Sequence, residues 1–254
     1  MPREKSRKNG KSKETASQPE ENGSGLRRTL VVDIGGSGIK ATVLNDLGKT
    51  VSERLRRDSP ASGLPGAVMD TVVSLAKEFE TFDRVAIGFP GVVIKGIVKQ
   101  APNLAKEWQD FNIAEHLQAR WKKPVRVAND ADVQGMAVIE GQGVELVLTL
   151  GTGLGSSLFI EGRLVPNLEM GHHPFRKGRT YEEYLGAASL EQKGKKKWNG
   201  YLQEAMENLE RLFNYRRLYL GGGNAKKIEF ELPANASIVP NVAGLLGGIA
   251  LWRD

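Results

Sequence analysis

The feature that most constrains the fold is a strand, a glycine turn and a second strand, in LVVDIGGSGIKATVLND at residues 30–46. In P-loops and dinucleotide-binding motifs, the glycines that follow a strand lead into a helix. Here Ile39, Ala41 and Val43 alternate with polar side chains, and a turn-forming Asn-Asp-Leu-Gly follows. This pattern predicts a second strand and a hairpin. It argues against both the P-loop and the dinucleotide fold.

The same order of elements returns in ELVLTLGTGLGSSLFIEGRLV at residues 145–165. With an offset of 116 residues, Asp33 falls on Thr149 and Gly35 falls on Gly151. A repeat of this kind indicates internal duplication. We therefore expect two similar α/β lobes that face a common cleft, although two glycine-rich hairpins can also resemble each other by chance.

Most of the basic charge lies at the N-terminus. The net charge is +6, and residues 1–28 supply +4 of it through eight Lys and Arg against four Asp and Glu. We expect residues 1–27 to form a disordered basic tail, because they contain too few apolar residues to offset the entropy of ordering. The remainder is nearly neutral, so no nucleic-acid partner is predicted.

The composition excludes several classes of protein. The 254 residues include no cysteine and three histidines, so disulfides, thiolate zinc sites and a histidine-rich metal cage are not expected. The N-terminus has no apolar signal region, and no apolar run reaches the roughly 20 residues of a membrane-spanning helix. A cytoplasmic protein with no membrane partner is predicted.

The chain divides into three folded parts after the tail: an N-terminal α/β lobe at 28–128, a C-terminal α/β lobe at 129–240, and a helix at 241–254 that returns to the N-terminal lobe. Helices are predicted at about 66–79, 113–120, 130–140, 198–213 and 241–252, with a further helix start after Gly223. Thr180 and Glu183 have the spacing of a capping box.

Three glycine turns stand at strand ends, where backbone N–H groups can approach phosphate oxygens because no Cβ intervenes. Asp33, beside the first turn, could hold a hydrated Mg²⁺ against phosphates, and Lys40 could add a cation or be a solvated strand residue. The predicted donor site comprises Asp33, Gly35, Gly36, Ser37, Lys40, Gly151, Thr152, Gly153, Gly155, Gly222 and Gly223.

Two further groups of polar residues are candidates for chemistry. Asn129 and Asp130 lie where a strand meets a helix, the usual place for ligand groups in an α/β sheet. Either residue could simply cap the helix; alternatively, Asp130 is a base that accepts a proton from an attacking hydroxyl. Glu169 and His172 form a polar pair after a strand, which alone would fit a solvated surface.

Taken together, DIGGSGIK, GFPG, APN, NDAD, LTLGTGLGSSLFIEGRLVPNLEMGH and YLGGG resemble, in order, the motifs of the ROK sugar kinases. The resemblance covers residues 28–254, and within the family it is to the polyphosphate glucokinase branch. It implies the duplicated, actin-like ribonuclease-H-type fold, with two lobes and a cleft between them. It also implies transfer of a terminal phosphoryl group to the 6-hydroxyl of glucose.

The resemblance also implies residue roles. Asp130 would be the general base, and Asp33 and the glycine turns would face the donor and its Mg²⁺. Asn103, Asn129, Glu169 and His172 would hold sugar hydroxyls. A further sugar-binding glutamate is expected, for which Glu182 and Glu183 are the candidates, with Glu182 placed in the predicted site. Many ROK kinases carry a cysteine-rich zinc motif, which this chain has no cysteine to build. We expect a homodimer.

The donor is open between inorganic polyphosphate and ATP. The basic run KGKKKW at 193–198 suits a long anion, although lysine runs are usually solvated faces. Other hypotheses are an ATP-dependent kinase for mannose or an N-acetylhexosamine, a non-catalytic sugar-sensing ROK protein such as a repressor, and a filament-forming actin-like protein. The last two are disfavoured by the short N-terminal tail and by the sugar-site motifs.

Overall fold

The computed structural model describes residues 26–102, 104–240 and 243–253. Asn103 and nearly all of the predicted tail therefore lie outside the described residues. The strands, in chain order, are β1 (Arg28–Ile34), β2 (Ile39–Asn45), β3 (Leu55–Arg57), β4 (Arg84–Phe89), β5 (Val92–Ile94), β6 (Ile97–Gln100), β7 (Val125–Asn129), β8 (Val144–Leu150), β9 (Leu154–Ile160), β10 (Arg163–Val165), β11 (Pro174–Arg176), β12 (Arg179–Thr180), β13 (Arg217–Gly221) and β14 (Ala236–Ile238).

The α-helices are α1 (Pro65–Ala76), α2 (Ile113–Trp121), α3 (Asp130–Met136), α4 (Tyr181–Leu185), α5 (Ala187–Lys193), α6 (Lys195–Phe213) and α7 (Ala243–Leu246). Turns of 3₁₀-helix lie at Lys106–Trp108, Met170–His172, Ala225–Lys227 and Gly247–Trp252. No helix in the described part of the chain combines the length and apolar character needed to cross a membrane.

The described strands form two five-stranded sheets with the same topology, in the orders β3-β2-β1-β4-β7 and β10-β9-β8-β13-β14. In each sheet a hairpin of antiparallel strands is extended by parallel strands. The registers also correspond, because Asp33 pairs with Gly88 as Thr149 pairs with Gly221. The predicted duplication and the actin-like two-lobed fold are confirmed.

Each sheet has its own apolar core. In the first, α1 and α2 cover one face of the sheet and bury Leu30, Ile87 and Trp108 completely. In the second, α6 places Trp198, Leu202 and Leu209 at helical spacing against the strands. Full burial of side chains of this size stabilises the fold by about 1.5–3 kcal/mol each.

The C-terminal segment packs on the opposite face of the first sheet. Leu245 and Ile249 lie against Val31, Leu44 and Ala86 of that sheet. Its α-helix lasts only one turn and continues as 3₁₀-helix, so the prediction of one continuous helix over 241–252 is wrong. Residues 241–242 lie outside the described residues.

Two predicted helix ends and one predicted helix start also need correction. The helix at Asp130 ends at Met136 rather than near Glu140, because the N–H groups of residues 140–142 donate to the buried Glu145 carboxylate. The first helix ends at Ala76 rather than at Phe79. After Gly223 there is only the 3₁₀ turn, since Ile228 is already extended.

Candidate active site

Asn129 and Asp130 lie at the end of β7 and at the start of α3. Asn129 is the helix cap, and its Oδ1 accepts the N–H groups of Ala131 and Asp132 at 2.8 and 3.3 Å. Among the described residues, the one hydrogen bond that Asp130 Oδ1 accepts comes from the N–H of Ala131, at 2.8 Å. The capping alternative therefore holds for Asn129, which leaves the Asp130 carboxylate for another role.

The surroundings of Asp130 raise the pKa of its carboxyl into the neutral range. Burial raises the pKa of its carboxyl to about 7, and the charge of Asp33 acts in the same direction, while the Ala131 N–H lowers it. A general base works best when its pKa lies near the working pH. Gly88 of β4 adjoins the residue, and a Cβ there would lie in ordinary van der Waals contact with Asp130, 3.5 Å from its Cα.

Three of the predicted sugar ligands, Asn129, Glu169 and His172, lie together beside Asp130. Asn129 Nδ2 donates to Glu169 Oε1 and to the carbonyl oxygen of Gly91, both at 3.2 Å. His172 Nε2 lies 3.8 Å from Glu169 Oε2. Burial raises the pKa of Glu169, against the opposing effect of His172. Glu169 is thus part of this cluster, although its sequence context alone fitted a solvated surface.

The two adjacent glutamates of α4 point to different places. Glu183 closes a capping box, in which its carboxylate accepts the Thr180 N–H at 2.8 Å. Glu182 Oε2 instead accepts the N–H of Leu154 at 3.0 Å in the second glycine loop. Its charge also contributes to the raised pKa of Glu169. The geometry favours Glu182 over Glu183 as the residue that faces the site.

The first glycine loop, residues 35–38, is closed by a hydrogen bond from the Gly35 N–H to Gly38 O at 3.1 Å. Two side chains brace it: Ser59 donates to Gly35 O at 2.6 Å, and Arg56 donates to Ser37 O at 2.9 Å. The Cα of Gly36 faces open space, so the backbone is accessible there.

The second glycine loop, residues 151–155, is held on two sides. Asn224 Nδ2 donates to Gly151 O at 2.9 Å, and the Ala187 N–H donates to Gly151 O and Thr152 O, both at 3.1 Å. A Cβ at Gly153 would lie 2.1 Å from Glu182 Oε2, so a larger residue there would displace the Glu182 carboxylate from the loop. Gly151 faces open space and so leaves its backbone free to meet a ligand.

The third glycine turn packs beneath the second loop. Gly222 has φ +85° and lies against β8, where a Cβ would stand 2.4 Å from Leu150 O. Only glycine meets both conditions without strain. Gly223, by contrast, faces open space, which is the arrangement that an approaching phosphate needs.

Asp33 is the residue predicted to bind Mg²⁺, and its carboxylate lies beside the first glycine loop. Its carboxylate accepts from Lys40 Nζ at 3.3 Å across the hairpin and is 14% exposed. No group of three His, Asp or Glu side chains that could hold a metal occurs in the described residues. Mg²⁺ does not need one, since it usually binds one or two carboxylates together with substrate phosphates and water. Lys40 is thus engaged with Asp33 rather than solvated alone.

Sequence reasoning missed several residues that shape the site, among them Asp132 and Asn167. Asp132 is buried, and burial raises its pKa to about 7. Its Oδ2 accepts the Asn167 N–H at 3.4 Å, while Oδ1 has no hydrogen-bond partner among the described residues. The Asn167 side chain accepts from the Val93 N–H at 3.1 Å. The second acidic residue of NDAD was the available signal for Asp132.

Comparison with known proteins identifies the family of the chain. The family model described as ROK family matches residues 29–190. The polyphosphate glucokinase of Mycobacterium leprae is 30% identical over 220 residues, which span 79% of this chain and 67% of that protein. The inorganic polyphosphate/ATP-glucomannokinase from Arthrobacter sp. strain KM is 33% identical, with a TM-score of 0.81, over 89% of this chain and all of that one.

A more distant structure shows the fold alone. It is a ROK family glucokinase from Streptomyces griseus in complex with glucose and AMPPNP, which is 20% identical with a TM-score of 0.69. The match covers 89% of this chain and 99% of that one.

Proposed function

The chain belongs to the ROK family, and on that premise we propose that it transfers the terminal phosphoryl group of inorganic polyphosphate to the 6-hydroxyl of glucose. The observation that carries the proposal is Asp130, a carboxylate with a pKa of about 7. It stands beside the hydrogen-bonded pair of Asn129 and Glu169. The glycine loops provide the donor side of the same cleft.

In the proposed reaction, O6 of glucose attacks the terminal phosphorus of the donor while its proton passes to the Asp130 carboxylate. The bond from that phosphorus to the bridging oxygen breaks, and the shortened polyphosphate leaves with the bridging oxygen. Asp130 then returns its proton to water. Positioning and charge stabilisation supply most of the acceleration in phosphoryl transfer, and the open backbones of Gly36, Gly151 and Gly223 are placed to contribute both.

Asp33 is the residue proposed to hold a divalent metal. Mg²⁺ would be held by Asp33 and the donor phosphates, where it would neutralise phosphate charge. Lys40 adds a fixed positive charge beside the same carboxylate.

Sugar selection is assigned to Asn129, Glu169, His172 and Glu182, with Asn103 as a further ligand from the sequence. Sites that hydrogen-bond each hydroxyl reject analogues that lack one, because buried polar groups are then left unpaired. The choice of donor is supported by the relatives, which are a polyphosphate glucokinase and a polyphosphate/ATP-glucomannokinase. The latter makes ATP a second donor and mannose a second acceptor to test.

A coupled assay for glucose 6-phosphate tests the proposal directly. Purified protein is given glucose and Mg²⁺ with long-chain polyphosphate, with ATP, or with neither. We expect product with polyphosphate. Mannose in place of glucose tests the second acceptor, with mannose 6-phosphate measured as the product. Absence of product with both donors would reject the kinase assignment, whereas product with ATP alone would reject only the donor.

The expected homodimer and cytoplasmic location remain predictions. Light scattering on the purified protein measures the first, and a monomeric mass at working concentration would contradict it.

A further inference from the structure

Six lysines lie on two chain segments that lead away from the second glycine loop. They come from the end of α5, the first turn of α6 and the 3₁₀ turn after the third glycine turn. This lysine surface comprises Lys193, Lys195, Lys196, Lys197, Lys226 and Lys227. It contains the basic run of the sequence and adds two residues from a distant segment.

One buried side chain joins the two segments. Asn199 is 7% exposed, and its Nδ2 donates to the carbonyl oxygens of Lys195 and Lys227 at 2.9 and 3.1 Å. Its Oδ1 accepts the N–H of Glu229 at 2.9 Å. The start of α6 is therefore fixed against the 3₁₀ turn, so the two segments that carry the lysines lie side by side.

Both segments begin at the second glycine loop. Asn224, which binds Gly151 O, directly precedes the turn that carries Lys226 and Lys227. Ala187, whose N–H binds Gly151 O and Thr152 O, is the first residue of α5, and Lys193 is the last. A helix of this length spans about 10 Å. The lysine surface thus starts at the loop that faces the donor.

The charge on this surface is not neutralised by neighbours. Lys195 forms an ion pair with Glu229. The other five lysines are exposed, and in the described part of the chain none of them forms an ion pair with a carboxylate. Set against Glu191, Glu229 and Glu231 of the same two segments, six lysines leave an excess of three positive charges.

We propose that the lysine surface binds the part of a polyphosphate chain that extends beyond the reacting phosphates. The inference rests on the proposed function and adds to it the place where a long donor runs. Lysine suits this task because its ammonium is a compact, mobile charge that does not require a fixed phosphate geometry. Unpaired charges on one face also raise the local concentration of a polyanion and its rate of association.

The test compares two triple variants that remove equal charge. K196Q/K197Q/K226Q neutralises the lysine surface. K49Q/K77Q/K122Q, the control, removes three exposed lysines of the N-terminal part of the chain, which lie after β2, α1 and α2. Each protein is assayed with long-chain polyphosphate, with tripolyphosphate and with ATP, and its thermal melting is recorded.

We expect the lysine-surface variant to raise KM for long-chain polyphosphate by about tenfold, within the range of electrostatic effects on association. Its kcat, and its KM for tripolyphosphate and ATP, should stay within about twofold of the wild type. The dependence of kcat/KM on salt should also become shallower with the long donor only.

Other outcomes separate the two proposals. If the lysine-surface variant and the control have the same KM for long-chain polyphosphate, the surface does not bind the donor, while the proposed function stands. An equal rise in KM for all three donors would place these lysines at the reacting phosphates and overturn the proposal. If the wild type uses ATP but no polyphosphate, the donor assignment fails and the lysine surface has no such ligand.

Discussion

At the scale of single residues, Asp130 shows how much surroundings decide chemistry. Asp130 and Asn129 are neighbours in sequence, yet one caps α3 and the other keeps a carboxylate directed at the site. Burial and the nearby Asp33 raise the pKa of Asp130 into the neutral range, where a carboxylate can both accept and release a proton.

Replacing Asp130 by Asn should lower kcat by about 10²–10⁴, the usual contribution of a general base. Asn keeps the size of the side chain but cannot accept the proton. The control is Asp70→Asn, on the exposed face of α1, which should have nearly wild-type activity. Near-normal turnover in the Asp130 variant would show that the base is another group.

The pH dependence of kcat/KM should follow the same group. Asp130 must be deprotonated to act, so activity should rise with pH through about 7 and then level off. Because Asp132 also has a pKa of about 7, the profile is repeated with Asp132→Asn. An unchanged midpoint in that variant assigns the titration to Asp130, and loss of the midpoint would assign it to Asp132.

Asp132 should also affect the pH dependence of stability. Its pKa is raised from 3.8 to about 7 in the folded state. Between these values the folded protein binds the extra proton, so this residue's contribution favours folding at low pH and is lost as pH rises through about 7. The free energy of unfolding of Asp132→Asn, relative to the wild type, should therefore rise by a few kcal/mol from pH 4 to pH 8. Urea unfolding at both pH values measures the difference, and a constant difference would contradict the raised pKa.

At the scale of elements, short helices and glycine turns position the site. The first turn of α4 carries two glutamates with different partners, one on the second glycine loop and one in the cap of its own helix. The two residues are adjacent and chemically identical, but consecutive side chains of a helix point in different directions, and this separates their roles.

This pair offers a matched comparison. Glu182→Gln should lower kcat/KM for glucose by at least about tenfold, since a charged acceptor beside the sugar ligands is lost. Glu183→Gln should leave the kinetics nearly unchanged and cost at most about 1 kcal/mol of stability through the weaker cap. Steady-state kinetics and thermal melting of both variants give the result. The reverse pattern would place Glu183 in the site.

At the scale of the whole molecule, the C-terminal segment connects the first sheet to α3. Trp252 lies between two arginines of the first sheet, with its ring centroid 4.9 Å from Arg84 Cζ and 4.6 Å from Arg126 Cζ. On the other side, Gly247 packs so closely on α3 that a Cβ would lie 1.7 Å from Val133 O. Helix α3 in turn packs on the second sheet, where Gly135 lies against Ser157 and Phe159.

Trp252→Ala should therefore destabilise the protein by about 2–3 kcal/mol, through lost packing and lost cation–π contacts. Trp252→Phe, which keeps an aromatic ring between the arginines, should recover most of the loss. Thermal or urea unfolding measures both variants. If the Ala variant were as stable as the wild type, the segment would not contribute to the joining of these elements.

The sequence by itself determined the duplicated hairpins, the two-lobed fold and the main candidates of the site. The hairpins follow from local periodicity and from glycine turns, which act over a few residues, whereas the actin-like fold and the sugar-site candidates came from the resemblance to the ROK sugar kinases. It could not choose between Glu182 and Glu183, reveal the contacts of Asp132, Asn167 and Asn224, or end α3 at Met136. Except for the end of α3, those outcomes depend on partners 28 or more residues away, such as Leu154 for Glu182 and Gly151 for Asn224. The tertiary structure also decided the pKa of Asp130, because burial and the approach of Asp33 are properties of the folded chain alone.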